Sequence, residues 1–309
     1  MSDMQPRHAA SSPRAVVFAA PVGVLVTALA SLWALASPVQ PLEAASLAPP
    51  AFAAVMELPA VVIASEPAAD PCAAPVVTAA LASGDDSAVI AGFGGADAFR
   101  AAVVAGAAPC ISLSDPAHVW VVVNKARRLS PENYAPASLA GSGLTTTSRS
   151  GTARDDVAAA LAGLAAAAAD AGAGRIGVNN AYRSYGLQVR TYGQHVRDQG
   201  EARADTVSAR PGHSEHQTGL AADIVACSPN CTDIHSFGGT PQSDWVAQHA
   251  WEHGFIVRYE DGHTAMTGYI AEPWHVRYVG KEIAAAYHAG GFHTLEEFFG
   301  LPAAPDYVE

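Results

Sequence analysis

Ser214-Glu-His-Gln-Thr-Gly-Leu-Ala-Ala-Asp223 is the stretch on which the fold turns, and Glu272-Pro-Trp-His275 is its partner further along the chain. Together they supply two histidines, an aspartate and a glutamate. Zinc takes imidazole nitrogen and carboxylate oxygen in a tetrahedron, and a catalytic site keeps three protein ligands and one open position. His216, Asp223 and His275 are read as the residues on the metal. Glu272 stays off the metal as the base that takes a proton from water. His216 and Asp223 are an odd number of residues apart, which on one unbroken strand would place them on opposite faces. The chain must turn between them, and Gly219 is the pivot, because glycine reaches backbone angles that other residues avoid. Leu220 to Val225 then reads as a buried strand carrying Asp223. Glu272 precedes a proline and is biased to an extended conformation. With a helix expected from Lys281, Glu272 and His275 are expected to straddle a strand-to-helix junction.

Outward from these stretches, Arg154 to Ala171 is an alanine-rich helix with Val157, Leu161 and Leu164 on one face, stopped by Gly172 and Gly174. Ile176 to Tyr182 follows as a strand that delivers Arg183 to its end, and a helix starting near Gly186 carries Gln188. Val119 to Asn124, apolar almost throughout, reads as a central strand. Ala96 to Ala105 and Lys281 to Ala289 read as short helices, each ended by glycine. Thr294 with Glu297 resembles a capping box that opens a last short helix. His249-Ala-Trp-Glu-His253 is a rival metal motif, with two histidines one helical turn apart on a helix that Ser243 would cap. Such short patterns arise by chance in a chain with 12 histidines, and the first pair of stretches is preferred.

The pattern Ser214-x-His216-x-x-Gly219-x-Ala221-x-Asp223, followed by Glu272-x-x-His275, resembles the zinc D-alanyl-D-alanine carboxypeptidases of the VanY type. More distant relatives are the VanX-type D,D-dipeptidases, some phage cell-wall endopeptidases and the amino-terminal domain of Hedgehog. Trp120 to Lys125, Tyr182 to Gln188, Gly254 to Tyr259 and Glu272 to Tyr278 extend the likeness, so that it covers about 120–299 in unbroken order. The resemblance implies an α+β fold. A small, mostly antiparallel sheet would be flanked by helices, with a Hedgehog/DD-peptidase-like zinc site at its open edge. It implies one zinc per chain and hydrolysis of the terminal D-Ala-D-Ala bond of peptidoglycan stem peptides. Glu272 would be the general base and Arg183 the cation facing the developing oxyanion. Ser214 and Gln188 become candidates for substrate contact. The same site could serve a peptidoglycan endopeptidase, a D,D-dipeptidase or a non-catalytic zinc-dependent binding module; an intact Glu272 and Arg183 speak against the last.

The rest of the chain bounds its surroundings. Asp and Glu outnumber Lys and Arg by 29 to 17, which argues against nucleic-acid binding through a basic surface. Ala15 to Ala36 is an unbroken run of apolar and small residues behind Arg7 and Arg14. It reads either as a cleaved signal peptide, with Ala34-Leu-Ala36 as the cleavage site, or as an uncleaved membrane anchor. Residues 1–36 are therefore expected to direct export, with the mature protein secreted or anchored to the cytoplasmic membrane and facing the cell wall. Residues 37–84, rich in Ala, Pro and Val, are expected to form an extended extracytoplasmic linker. The catalytic domain is expected at 85–309. Four cysteines in an exported chain favour disulfides. Of the three possible pairings, the local ones, Cys72 with Cys110 and Cys227 with Cys231, are preferred. A cysteine zinc site competes poorly because paired Cys-x-x-Cys spacings are missing.

Overall fold

The structure is a computed structural model that describes residues 70–308. The apolar run of residues 15–36, and the linker as far as residue 69, lie outside the described residues. Three short helices come first: α1 (Pro75–Ser83), α2 (Asp86–Gly92) and α3 (Ala96–Val104). Strands β1 (Ala140–Gly141), β2 (Thr146–Ser150) and β3 (Thr152–Ala153) lead to helix α4 (Asp155–Asp170) and strand β4 (Arg175–Asn180). Helices α5 (Tyr185–Gln199) and α6 (Glu201–Val207) precede strand β5 (Ala221–Cys227). Then come α7 (Pro241–His249), β6 (Phe255–Tyr259), α8 (Thr264–Thr267), β7 (Glu272–Tyr278), α9 (Lys281–Ala289) and α10 (Leu295–Phe298). The main sheet has five strands in the order β2-β4-β5-β7-β6. Only β2 and β4 run parallel; the other neighbours are antiparallel. The class is the expected α+β, with a mostly antiparallel sheet and flanking helices.

Strand β5 organises the two sides of the sheet. Every residue in it is buried, but the alternation of side chains divides them. Ala222, Ile224 and Ala226 join the hydrophobic core with Val157, Leu161 and Leu164 of α4. Asp223 takes the opposite face. Helix α4 forms where it does because Asp155 and Asp156 sit in its first turn, favourable to the helix dipole, and its apolar positions recur along one stripe. Leu161 and Leu164 are fully buried, and each contributes about 1.5–3 kcal/mol by leaving water. Both disulfides are the local ones, Cys72–Cys110 and Cys227–Cys231. The second lies against Gly177 of β4, where an added Cβ would stand 2.8 Å from the Cys227 sulfur.

Five local expectations are corrected. Residues 119–124 are buried but form no strand. Their carbonyls are taken by guanidinium groups instead of a neighbouring strand: Arg277 Nη2 donates to Val119 and Val121, and Arg127 Nε to Val122. The linker expected to reach residue 84 is folded from Pro71, with α1 burying Val77 and Ala80. Proline does not prevent this because Pro71 and Pro75 occupy first-turn positions, where no backbone N–H is required. Helix α7 is capped by Thr240, whose hydroxyl accepts from the Ser243 N–H, and not by Ser243; it ends at His249 in a tighter 3₁₀ turn over Ala250–His253. Glu272 and His275 both lie inside β7, ahead of any helix. The candidate ligands Asp223 and His275 stand on the face of the sheet, on the inner strands β5 and β7, and not at an open edge.

Candidate metal centre

Asp223 and His275 are direct cross-strand partners on β5 and β7, so their side chains rise from the same face. His216 comes to them from a 3₁₀ turn, Glu215–Thr218, that ends at Gly219 with φ +73°. That left-handed residue is the pivot between His216 and Asp223, as the sequence spacing requires. Glu272 opens β7, where the pairing with β6 is irregular. Two steps on β6, from Val257 to Tyr259, match four on β7, from Val276 to Glu272, so β7 bulges.

Asp223 Oδ2 lies 3.2 Å from His216 Nε2, and Asp223 Oδ1 lies 3.2 Å from His275 Nδ1. A zinc tetrahedron with arms of ~2.0–2.1 Å has edges of about 3.4 Å, so the three donors already stand at ligand spacing. The other nitrogen of each imidazole is committed. His216 Nδ1–H donates to the Ala181 carbonyl at 2.7 Å, and His275 Nε2–H to Glu215 Oε2 at 3.2 Å. Each ring therefore leaves its other nitrogen facing Asp223, the arrangement that ligating histidines need from their outer partners.

The charges around the centre favour a cation. Burial works against a charged His275, but hydrogen bonds to Asp223 and Glu215 outweigh it and push the imidazole up to about 9. His216, tied to a carbonyl rather than a second carboxylate, is held below its ordinary value by burial. Burial raises Asp223, yet His216 and His275 together hold it well below the usual carboxylate range. Positive charge belongs between these groups, and a divalent ion bound through the two ring nitrogens and the carboxylate meets that demand. The donor set fits zinc.

Glu272 Oε2 is 3.7 Å from His275 Nδ1. Burial, opposed by His275 and Arg183 and aided by Asp223, pushes its carboxyl up to about 7. Arg183 is fixed by its backbone N–H, which donates to the His216 carbonyl at 3.1 Å. Its buried Nε has no hydrogen-bond partner among the described residues. Both line one cleft of about 390 Å³ with His216, Asp223, His275 and Ser214. Gln188 is not on that wall. It is fully buried, and its amide nitrogen donates to the Ala209 carbonyl, so it braces the loop before Ser214 instead of meeting a ligand. His249 and His253 are not drawn into a metal cluster among the described residues; His249 pairs with Glu252 at 2.9 Å.

A buried polar layer beneath the centre was not anticipated. Glu215 accepts from Arg258 Nε at 2.9 Å and from Arg277 Nη1 at 2.7 Å, while Arg258 also makes a paired contact with Glu296 at 2.7 and 3.0 Å. Burial would raise Glu215, but Arg277 and Arg258 hold it far below its ordinary value. It is a permanent anion. The signal for it was present in sequence: arginines inside the apolar strands Phe255–Tyr259 and Glu272–Tyr278 require buried partners.

A family model for VanY, D-alanyl-D-alanine carboxypeptidase, matches residues 151–281. The chain is 36% identical over 192 residues to YodJ of Bacillus subtilis (strain 168), covering 61% of this chain and 69% of that protein. It is 46% identical over 99 residues to a D-alanyl-D-alanine carboxypeptidase of Enterococcus faecalis (strain ATCC 700802 / V583), spanning 32% of this chain and 34% of that one. Among solved structures it is similar to the LdcB LD-carboxypeptidase, whose structure concerns peptidoglycan recognition. There the identity is 36% and the TM-score 0.55, over 60% of this chain and 87% of the other.

Proposed function

The chain belongs to the VanY family of D-alanyl-D-alanine carboxypeptidases and is a peptidase, and on that footing we propose that it removes the terminal D-alanine from peptidoglycan stem peptides ending in D-Ala-D-Ala. The observation that carries this is the convergence of His216, Asp223 and His275 at ligand spacing, with Glu272 and Arg183 in the same cleft. His216, Asp223 and His275 would hold the zinc, which when bound would supply an acidified water and a Lewis acid for the scissile carbonyl. Glu272, buried and with a carboxyl near neutrality, takes the proton of the attacking water and passes it to the leaving amine. Arg183 faces the negative charge that develops on the carbonyl oxygen. Ser214, buried on the cleft wall, is within the region the substrate must enter.

A second reading, release of D-alanine from a tetrapeptide stem after an L-centre, is favoured by the likeness to the LdcB LD-carboxypeptidase. Mass spectrometry of products from defined pentapeptide and tetrapeptide stems decides between them. Loss of one alanine from the pentapeptide alone supports the first, and loss from the tetrapeptide alone supports the second. An unchanged pair of substrates overturns both.

The proposal includes an extracytoplasmic location, reached through the apolar run of residues 15–36 either as a cleaved signal or as an anchor. Two disulfides suit an oxidising compartment. Fractionation of cells producing the full chain tests it: recovery in the cytosol with reduced cysteines would reject the location.

A further inference from the structure

We propose a second divalent-metal site at Glu260, His263 and His293, separate from the catalytic centre and holding a zinc-class ion. Potential ligand atoms of these three side chains all lie within 4.8 Å of one another. Glu260 Oε2 stands 2.8 Å from His293 Nδ1, and the His263 and His293 rings stack at 4.7 Å with their planes 23° apart. Two imidazoles and a carboxylate are a borderline donor set that suits zinc, cobalt and nickel and not the hard ions magnesium and calcium. None of the three lines the catalytic cleft.

The backbone holds the donors in place. Glu260 follows directly on the end of β6, and the His263 carbonyl accepts from the N–H groups of Met266 and Thr267 at the first turn of α8. The His293 N–H is fixed by Glu297 Oε2 at 3.2 Å, just ahead of the Thr294 cap of α10. The donors thus come from two segments whose starting points are set, which limits the freedom lost on binding. The ring nitrogens of His263 make no hydrogen bond to a described residue, and a metal would occupy one of them. The partly exposed position leaves room for water to complete the coordination.

An ion here would clip the β6–α8 turn to the start of α10. Both of those segments carry the buried Arg258–Glu296 pair, which in turn supports Glu215 and His275. Metal binding at such a place is folding free energy, so it would appear as metal-dependent stability.

The test is a cobalt(II) titration of the metal-free, tag-free full chain, followed by visible absorption and by bound metal after dialysis. The expected result is about two equivalents for the parent chain and about one for His263→Ala/His293→Ala, with peptidase turnover kept. His216→Ala/His275→Ala should also retain about one equivalent, which then belongs to the second site. Should the double alanine variant not fold, His293→Gln is expected to weaken the second equivalent at least ~10-fold while leaving the first. Binding of about one equivalent by the parent chain, or an unchanged second equivalent in these variants, overturns the site.

Discussion

Nε2 of His275 lies 3.2 Å from Oε2 of Glu215, and Glu215 is itself clamped by Arg258 and Arg277. The contact decides which nitrogen of His275 faces Asp223, and so the orientation of one candidate ligand is set by a carboxylate outside the His216, Asp223 and His275 cluster. A buried anion of this kind keeps the imidazole basic and fixes its tautomer.

Glu215→Gln should therefore lower zinc affinity by about 10–100-fold while leaving the three ligands in place. It also leaves two buried guanidinium groups short of an anion, a type of break that destabilises by about 3–5 kcal/mol. Chelator competition measures the first effect and denaturant unfolding of the metal-free protein the second. An unchanged zinc affinity would show that Glu215 serves the fold alone.

Gly219→Ala tests the turn between His216 and Asp223. The position has φ +73°, and an added Cβ would lie 3.0 Å from Pro136 Cγ and 3.1 Å from the Arg154 nitrogen. A side chain in the left-handed region costs roughly 1–2 kcal/mol before any clash. The variant should melt lower and bind zinc more weakly, because relaxation of the turn moves His216 away from Asp223. A variant with parental melting and parental zinc affinity would remove Gly219 from its place as pivot.

The clustering of His216, Asp223 and His275 was legible because metal chemistry restricts the residue types and the odd spacing demanded a turn. Helix α4 and strands β4 and β5 were legible because their hydrophobic periods are unbroken. Residues 119–124 misled because an apolar run marks burial, not pairing, and a guanidinium can take the carbonyls as well as a strand can. The irregularity in β7 was hidden because Pro273 signals extension but not a shift of register against β6. Glu215 was passed over beside His216, since a carboxylate next to a ligand reads as a surface residue until Arg258 and Arg277 are brought over it.

The two disulfides should differ in weight. Cys72–Cys110 joins residues 38 apart and Cys227–Cys231 residues 4 apart. On loop-closure entropy these constrain the unfolded chain by about 4 and about 2 kcal/mol respectively. Cys72→Ser/Cys110→Ser should lower the denaturant midpoint about twice as far as Cys227→Ser/Cys231→Ser. Equal losses would show that native packing around Gly177, rather than chain entropy, sets the value of the shorter bridge.

Glu272 and Asp223 are both carboxylates close to His275, at 3.7 and 3.2 Å, and their roles separate only in variants. Asp223 touches both histidines, whereas Glu272 is near one of them and retains a carboxyl close to neutrality. Loss of a ligand should empty the site, and loss of a base should leave it filled. Glu272→Gln is expected to hold zinc at near-parental content with pentapeptide turnover lower by about 10²–10⁴-fold, the range for one positioned proton-transfer group. Asp223→Asn should lose zinc affinity and turnover together. Arg183→Ala should keep the metal and lose about 10²–10³-fold in rate, as for one oxyanion donor. Zinc content and turnover measured on the same three preparations give the answer. If Glu272→Gln came out metal-free while Asp223→Asn stayed loaded, the two carboxylates would have to exchange roles, and the proton path through Glu272 would be wrong.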